Sequence, residues 1–496
     1  DRRPILSDHI DTLIAELDAA PAWPLPRERH AVTVSLEGRA LRRADTEELR
    51  RVQGWDADRT MVVDPLARRI AFGFADFLFS EPIRLEVEDQ AAQAEIDAFR
   101  DANRLDAKLH RAERQIVSEG EAWWKLHTEP ALADVPLISW CSRRDVVPLF
   151  YGDRVIACAF VTEKYRESET IDEKTVEKVW RHVEAHGAGR VLNVLYLGTS
   201  DSLGTRIPLE QLPHTAGLNP EWEHGLPMLA GRIVNDLDDD DTQGVSEYEP
   251  VRDLLFALNE AATIAVENAR LTGQDRVFVA GRLRQVDGSF DASLQVFEAE
   301  TDGATLGEAG GSPPIVAVEK HYDAEPLWRH IAGIVKTTLS RVGMVVQIVD
   351  SSEEGKAESG TAIRLRFLPT ALAAKGKAKE HAEAIPHIVS LALQIIAKPT
   401  GDGGFGRQVA PDPPAIEFEN PIPVDESEET KDRALAVTSG ILSRRQAITE
   451  AHPDWTPQQV DEELAEIRAD EGAPAEPPPA PHDPPPMPHA PPPAAA

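Results

Sequence analysis

The sequence is poor in cysteine, in basic charge and in long apolar runs, and each shortage removes a class of protein. Cys141 and Cys158 are the two cysteines in 496 residues. They sit in no C-x-x-C pair, so neither a disulfide framework nor a cysteine zinc site can be built, and a reducing compartment fits best. Against 85 Asp and Glu stand 52 Lys and Arg, a net charge of −33. Such a surplus repels phosphate, which argues against general electrostatic wrapping of nucleic acid and makes solubility its first consequence. No apolar run approaches the roughly 18 residues that span a bilayer, and the opening DRRPILSDHI has no apolar signal core. The protein is therefore expected to be soluble and intracellular when made, with no membrane partner. Because Asp1 is not Met, the numbering is expected to begin after removed or unseen residues.

Catalytic signatures are scarce as well. There is no G-x-x-x-x-G-K-[ST] loop, no H-E-x-x-H and no G-x-S-x-G, and the 15 histidines are scattered. No catalytic residue, metal or cofactor is assigned, and the chain is expected not to be an enzyme. GDGGFG (401–406) precedes no convincing helix and reads as a flexible turn before a phosphate cradle. Asp236, Asp238, Asp239, Asp240 and Asp241 are the best candidates for a hard cation. Consecutive aspartates diverge, however, so a solvated linker is the simpler reading. Cys141 and Cys158 lie in apolar segments and are expected to be buried, inert thiols.

What is present points to several domains, since single cores stop growing near about 250–300 residues. Residues 1–29 are polar and proline-punctuated, and from His30 to Val87 short apolar segments alternate with Arg-rich and Asp-rich turns. Within this span Ile70, Phe72, Phe74, Phe77, Leu78 and Phe79 form an aromatic-rich run, and IRLEV (83–87) alternates as a strand does. Gln90–Ser118 has helical period. AWWKLH, PLISWC, VVPLFYG, VIACAFV and VLNVLYLG then read as five antiparallel strands ending near 200. The first 245 residues are thus expected to be a mixed α+β domain.

Beyond it, Val251, Leu254, Leu255, Leu258, Ala261, Ala262, Ala265 and Ala269 recur at helical spacing, with Gly273 as the stop. A second amphipathic helix opens at Pro326, carries Ile331, Ile334, Val335 and Leu339, and closes at Gly343. The insert between them holds short β-like segments, RVFVAG, LQVFEAE and PPIVAVEK. Next come MVVQIV, the polar loop DSSEEGKAESG (350–360) and a helical pattern from Thr370 to Lys398, with a kink or break expected near 382–386 at Pro386. A Gly-, Pro- and acid-rich connection with a strand at IEFEN follows. Two helices are expected between Lys431 and Asp470, the second capped by Thr456. The last 25 residues hold 12 prolines and are expected to be disordered or extended.

That order of elements resembles the portal proteins of tailed bacteriophages, in the branch typical of long-tailed phages. The likeness is carried by LARRIAFGFADFLFSEPIRLEV (66–87), SEYEPVRDLLFALNEAATIAVENARL (246–271), SGTAIRLRFLPTALAAKGKAKEH (359–381) and PIPVDESEETKDRALAVTSGILSRRQAI (421–448). The resemblance implies an α+β portal fold in which 1–245 is the wing, 246–272 the first stem helix, 273–323 the clip and 324–343 the second stem helix. Residues 344–369 would be a wing segment with a tunnel loop at 350–360, 370–398 a kinked tunnel helix, 399–430 the wing return, 431–470 the crown and 471–496 a proline-rich tail.

The resemblance also implies a ring, usually of twelve copies, at one capsid vertex of the virion, assembled in the host cytoplasm. Its implied partners are itself, the terminase large subunit, the major capsid protein and scaffold, the head–tail adaptor, and double-stranded DNA passing through the channel in packaging and ejection. In the loop, Ser351, Ser352, Glu353, Glu354, Lys356, Glu358 and Ser359 would meet DNA, with Lys356 the attractive exception; a solvated turn is the plain alternative. Lys375 and Lys379, one turn apart, would face DNA or pair with acids of a neighbouring subunit, and Lys377 lies on another face. Leu254, Leu258, Ile331 and Val335 would be buried against neighbouring subunits. The competing readings are an acidic metal-dependent hydrolase using the Asp236–Asp241 cluster, and another capsid or adaptor protein.

Overall fold

The computed structural model describes residues 8–56, 60–171, 174–238, 242–272, 276–279, 282–283, 299–300, 315–318, 324–345, 360–418, 426–452 and 455–472. The chain divides into two compact units, Asp1–Ile422 and Pro423–Ala496.

The first unit opens with helices α1 (Asp8–Asp18), α2 (Arg29–Arg43), α3 (Thr46–Gln53) and α4 (Leu66–Phe79). The stretch His30–Val87 is therefore mostly helical, not the succession of short segments and turns that the sequence suggests. The reason is visible in α4. Leu66, Ala67, Ile70, Ala71, Phe74, Ala75 and Leu78 form a buried stripe, but aromatic rings fill the outer face too and blur the period. Phe72 on that outer face is covered by the guanidinium groups of Arg68 and Arg114, 4.6 and 4.4 Å from its ring centre. Strand β1 (Arg84–Glu86) follows, then α5 (Gln90–Asn103) and α6 (Leu105–Glu119). Asp89 caps α5 by accepting from Ala91 N at 2.9 Å.

Helix α2 crosses α6 at Gly38, where an added Cβ would stand 1.8 Å from the carbonyl oxygen of Ser118. Gly38→Ala is expected to lower the unfolding free energy by about 1–3 kcal/mol, as overpacking does, and urea denaturation followed by circular dichroism reads it.

Three antiparallel strands come next in space, in the order β10 (Ala230–Val234), β2 (Glu121–His127), β3 (Leu137–Ser142). A larger antiparallel sheet runs β4 (Val146–Tyr151), β5 (Arg154–Ile171), β6 (Lys174–Gly187), β7 (Arg190–Thr199), β8 (Ser202–Ile207), with β9 (Glu221–Glu223) also paired to β7. Helix α1 seals one face, where Ile10, Leu13, Ile14 and Leu17 pack on Val147, Ala159, Val183, Ala185 and Tyr196. The sequence does not reveal β6. Polar residues stand on both of its faces, Arg181 beside Val179 and Val183 and His182 and His186 on the other, and no continuous apolar run marks it.

Buried charge ties the helical and sheet parts together. Arg143, 3% exposed, pairs with Glu28, stands 2.6 Å from Glu121 and donates to Val146 O at 2.7 Å. Arg232 adds a contact to Glu121 at 2.8 Å.

Helix α7 (Arg252–Thr272) and helix α8 (Glu325–Arg341) bracket short strands: β11 (Arg276–Val279) pairs with β14 (Ile315–Val318), and β12 (Arg282–Leu283) with β13 (Ala299–Glu300). Gly273, the expected stop of α7, lies outside the described residues. The long helix α9 (Gly360–Ala397) starts ten residues before Thr370, and of the kink or break expected near Pro386 the break does not occur, since the helix continues through Pro369 and Pro386. Pro369–Thr370 resembles a helix opening, because proline suits a first turn, and that conceals the preceding turns. At Pro386 the packing of Ile385, Ile388, Val389, Ala392, Ile395 and Ile396 in the core holds the helix together. Strand β15 (Ala415–Glu417) then returns to pair with β1, Leu85 opposite Ile416.

The second unit holds α10 (Glu426–Thr438), α11 (Arg444–Ala451) and α12 (Pro457–Gly472). The expected first helix is thus two, separated by Gly440 at φ 74°, after which Ser443 caps α11 through Gln446 N. Thr456 caps α12, and Gln459 returns a bond to Thr456 N at 2.8 Å, the reciprocal arrangement of a capping box. The proline-rich tail from 473 onward lies outside the described residues.

Candidate functional site

The helices α7, α8 and α9 form the part of the first unit on which the functional reading turns. Leu255, Leu258 and Ala261 of α7 pack with Ile331, Ile334 and Leu339 of α8 and with Ile70 and Phe74 of α4. Two polar residues on the buried face of α7 hold an extended segment in place: Asn259 accepts from Asp64 N at 3.0 Å and Thr263 from Val62 N at 2.9 Å. At the other junction the buried Thr370 hydroxyl of α9 donates to Gly343 O and accepts from Val345 N, both at 3.2 Å. The end of α8 is thereby fixed to α9.

Along α9 the character changes. From Ile388 to its end no residue is exposed, as in a core helix. In the middle Lys377 turns inward, bonded to Asn235 and Glu247 and set 4.7 Å from the Phe74 ring centre. His381 meets Glu113 at 2.7 Å, both buried, with the Phe79 ring edge-on at 5.0 Å. Its N-terminal half instead exposes Leu365, Leu368 and Leu372.

The residues singled out from sequence fall into three groups. Ser351, Ser352, Glu353, Glu354, Lys356, Glu358 and Ser359 lie outside the described residues. Lys375 and Lys379 are exposed on α9, while Lys377 between them is the buried ion-pair partner just described. Leu258 and Ile331 are buried within their own chain, and Leu254 and Val335 pack half-buried against the same core. Within one chain Leu258 and Ile331 are thus already covered, while Leu254 and Val335 keep part of their surface open.

The alternative sites also resolve in part. Asp238 accepts from Thr242 N and Gln243 N at 2.9 and 3.0 Å, the work of a turn residue. Asp239, Asp240 and Asp241 lie outside the described residues, and among the described residues no group of His, Cys, Asp and Glu is arranged to hold a metal ion. Burial pushes the Cys141 thiol up to about 11 and the Cys158 thiol higher still, so both stay protonated and unreactive at neutral pH. The glycine-rich stretch wraps the end of α9, with Gly406 N donating to Lys398 O at 2.7 Å. Gly403 at φ 81° lies where a Cβ would strike Trp222. It is a packed turn.

Sequence reasoning missed a set of buried histidines. Burial lowers His127 and His182, and takes His224, 1% exposed, down to about 4, assisted by His186 and Lys398. Each stays neutral in the fold and takes up its proton more readily in the unfolded chain, where the ordinary value is about 6.5. Stability is therefore expected to be full above that value and to fall as pH drops toward about 4. His224→Asn, which keeps an acceptor for Leu226 N, is expected to show a shallower acid loss of melting temperature.

The whole pattern has a counterpart among known proteins. Residues 50–475 match the family described as phage portal protein, SPP1 Gp6-like. That match makes this a structural component of a phage particle at the portal vertex, not an enzyme. The chain belongs to the SPP1 Gp6-like family of phage portal proteins.

Solved structures similar to it include a chain from the virion of the native gene transfer agent (GTA) particle, 12% identical, covering 87% of this chain and 94% of that one at a TM-score of 0.40. Another comes from the neck of the native GTA particle computed with C12 symmetry, 12% identical over 88% and 96% of the two chains, TM-score 0.43. A third, from the neck of the empty GTA particle computed with C6 symmetry, is 11% identical over 77% and 88%, TM-score 0.40. Among curated proteins no sequence matches. No helix among the described residues is long and apolar enough to cross a membrane.

Proposed function

We propose that the protein forms a ring of twelve at the capsid vertex of a long-tailed phage and conducts double-stranded DNA through its centre during packaging and ejection. The observation that carries this reading is the succession α7, small β insert, α8, α9 inside a chain matched to the portal family from 50 to 475. In this scheme α7 and α8 are the stem, and the β11–β14 and β12–β13 pairs belong to the clip, which docks the terminase large subunit and later the head–tail adaptor. Residues 350–360 are the tunnel loop, α9 supports it, and α10 to α12 are the crown. The wing, built from the N-terminal helices and the large sheet, contacts the major capsid protein and scaffold.

The charge suits such a conduit. A channel that passes DNA in both directions must not grip phosphate, and a chain of net −33 has low affinity for it. Negative-stain imaging of the purified protein tests the proposal: rings with a central opening are expected, and a field of isolated globular particles contradicts it.

A further inference from the structure

Two exposed faces of the chain fit each other. The first twenty residues of α9, 360–379, carry Arg364, Arg366, Lys375, Lys377 and Lys379 and no acid at all, an inversion of sign in a chain with so large an acidic excess. On this stretch Leu365, Leu368 and Leu372 are 65, 46 and 61% exposed. Their three- and four-residue spacing places them in one seam, and Lys379, a further seven residues on, extends it. Lys375 flanks it. Lys375 and Lys379 are exposed, and neither takes part in an ion pair among the described residues.

The second face lies on α7. Asp253, Glu260 and Glu267 recur every seven residues, so they drift by only about 20° per step and form one stripe. Asp253 and Glu260 are exposed and form no ion pair among the described residues. Between the acids the half-buried Phe256 and Ile264 supply apolar surface on the same side. The two faces also agree in length, since Asp253 to Glu267 and Leu365 to Lys379 each span fourteen residues, roughly 21 Å of helix.

A closed ring requires a heterologous contact, in which two unlike patches on one chain complement each other across copies. We propose that the N-terminal half of α9 in one subunit lays its leucine and lysine face along the acidic stripe of α7 in the next copy. The inference rests on the ring reading and deepens it by naming the contact. Apolar matching of the leucines with Phe256 and Ile264 supplies contact area, while the charges set register and exclude the alternative of α9 against α9.

Charge reversal tests this without knowledge of the register. Lys375→Glu with Lys379→Glu makes both faces acidic, and Glu260→Lys with Glu267→Lys makes both basic. Each reversed chain alone is expected to assemble roughly tenfold or more less readily than the wild type, because like charges then oppose one another at the contact. Mixing the two is expected to restore rings in which the chains alternate, detected by native mass spectrometry from their different masses.

Circular dichroism shows whether each chain has folded. If one has not, the neutral Lys375→Gln, Lys379→Gln chain takes its place, with a smaller loss of assembly expected and wild-type assembly counting against the proposal. Wild-type assembly and salt tolerance in either reversed chain overturn it, and intact rings with impaired DNA packaging would assign the lysines to DNA instead. Folded reversed chains that do not recover on mixing overturn it too. A wild-type chain that forms no ring under the same conditions removes the ring reading itself, and this contact with it.

Discussion

Deleting residues 351–359 is expected to leave ring assembly intact and to reduce DNA packaging to background. The segment carries Glu353, Glu354 and Glu358 against a single Lys356, and in the proposed ring its copies would surround the aperture. Fixed negative charge there repels phosphate over roughly a Debye length, about 8 Å at physiological salt, while Lys356 offers one transient contact per subunit. The flanks are anchored without the loop. Val345 is held by Thr370, and α9 is fixed further along by Lys377 and the His381–Glu113 pair. Rings of wild-type mass that fail to retain DNA are the expected result. Loss of the ring would make these residues structural, and wild-type packaging would remove them from the constriction.

The second large effect is on stability. Arg143→Met is expected to lower the unfolding free energy by about 3–5 kcal/mol, because removing one member of a buried ion pair leaves uncompensated charge behind. Glu28 and Glu121, 3 and 1% exposed, would each lose a guanidinium partner, though Arg27 and Arg232 remain beside them. Urea denaturation of both proteins at pH 7 measures this. A deficit under about 1 kcal/mol, the scale of an exposed pair, would show that the network is solvated.

Much of this architecture is legible in the sequence wherever one face of an element is wet. The stripes of α7 and α8 stand out because Leu258 and Ile331 alternate with charged residues. The pattern shows that a face is covered without showing by what, and in the fold Leu258 and Ile331 are buried where α7 and α8 pack together. Helix α4 is hidden because aromatic residues occupy its outer face as well, and β6 because buried polar residues such as Arg181, His182 and His186 interrupt its apolar ones. Pro369 conceals the first turns of α9, and with them the seam of Leu365, Leu368 and Leu372. That seam is nonetheless readable from spacing once the helix is known to begin at Gly360. Lys377 has the same composition signal as Lys375 and Lys379. Its position two residues from each turns it to the opposite side of the helix, toward Glu247.

The most direct test of the central claim is the native mass of the purified protein. Twelve chains of 54.4 kDa give about 653 kDa, and a species of that mass or of a neighbouring ring number, stable across protein concentration, is the predicted result. A monomer or dimer that persists at every protein and salt concentration would contradict the account.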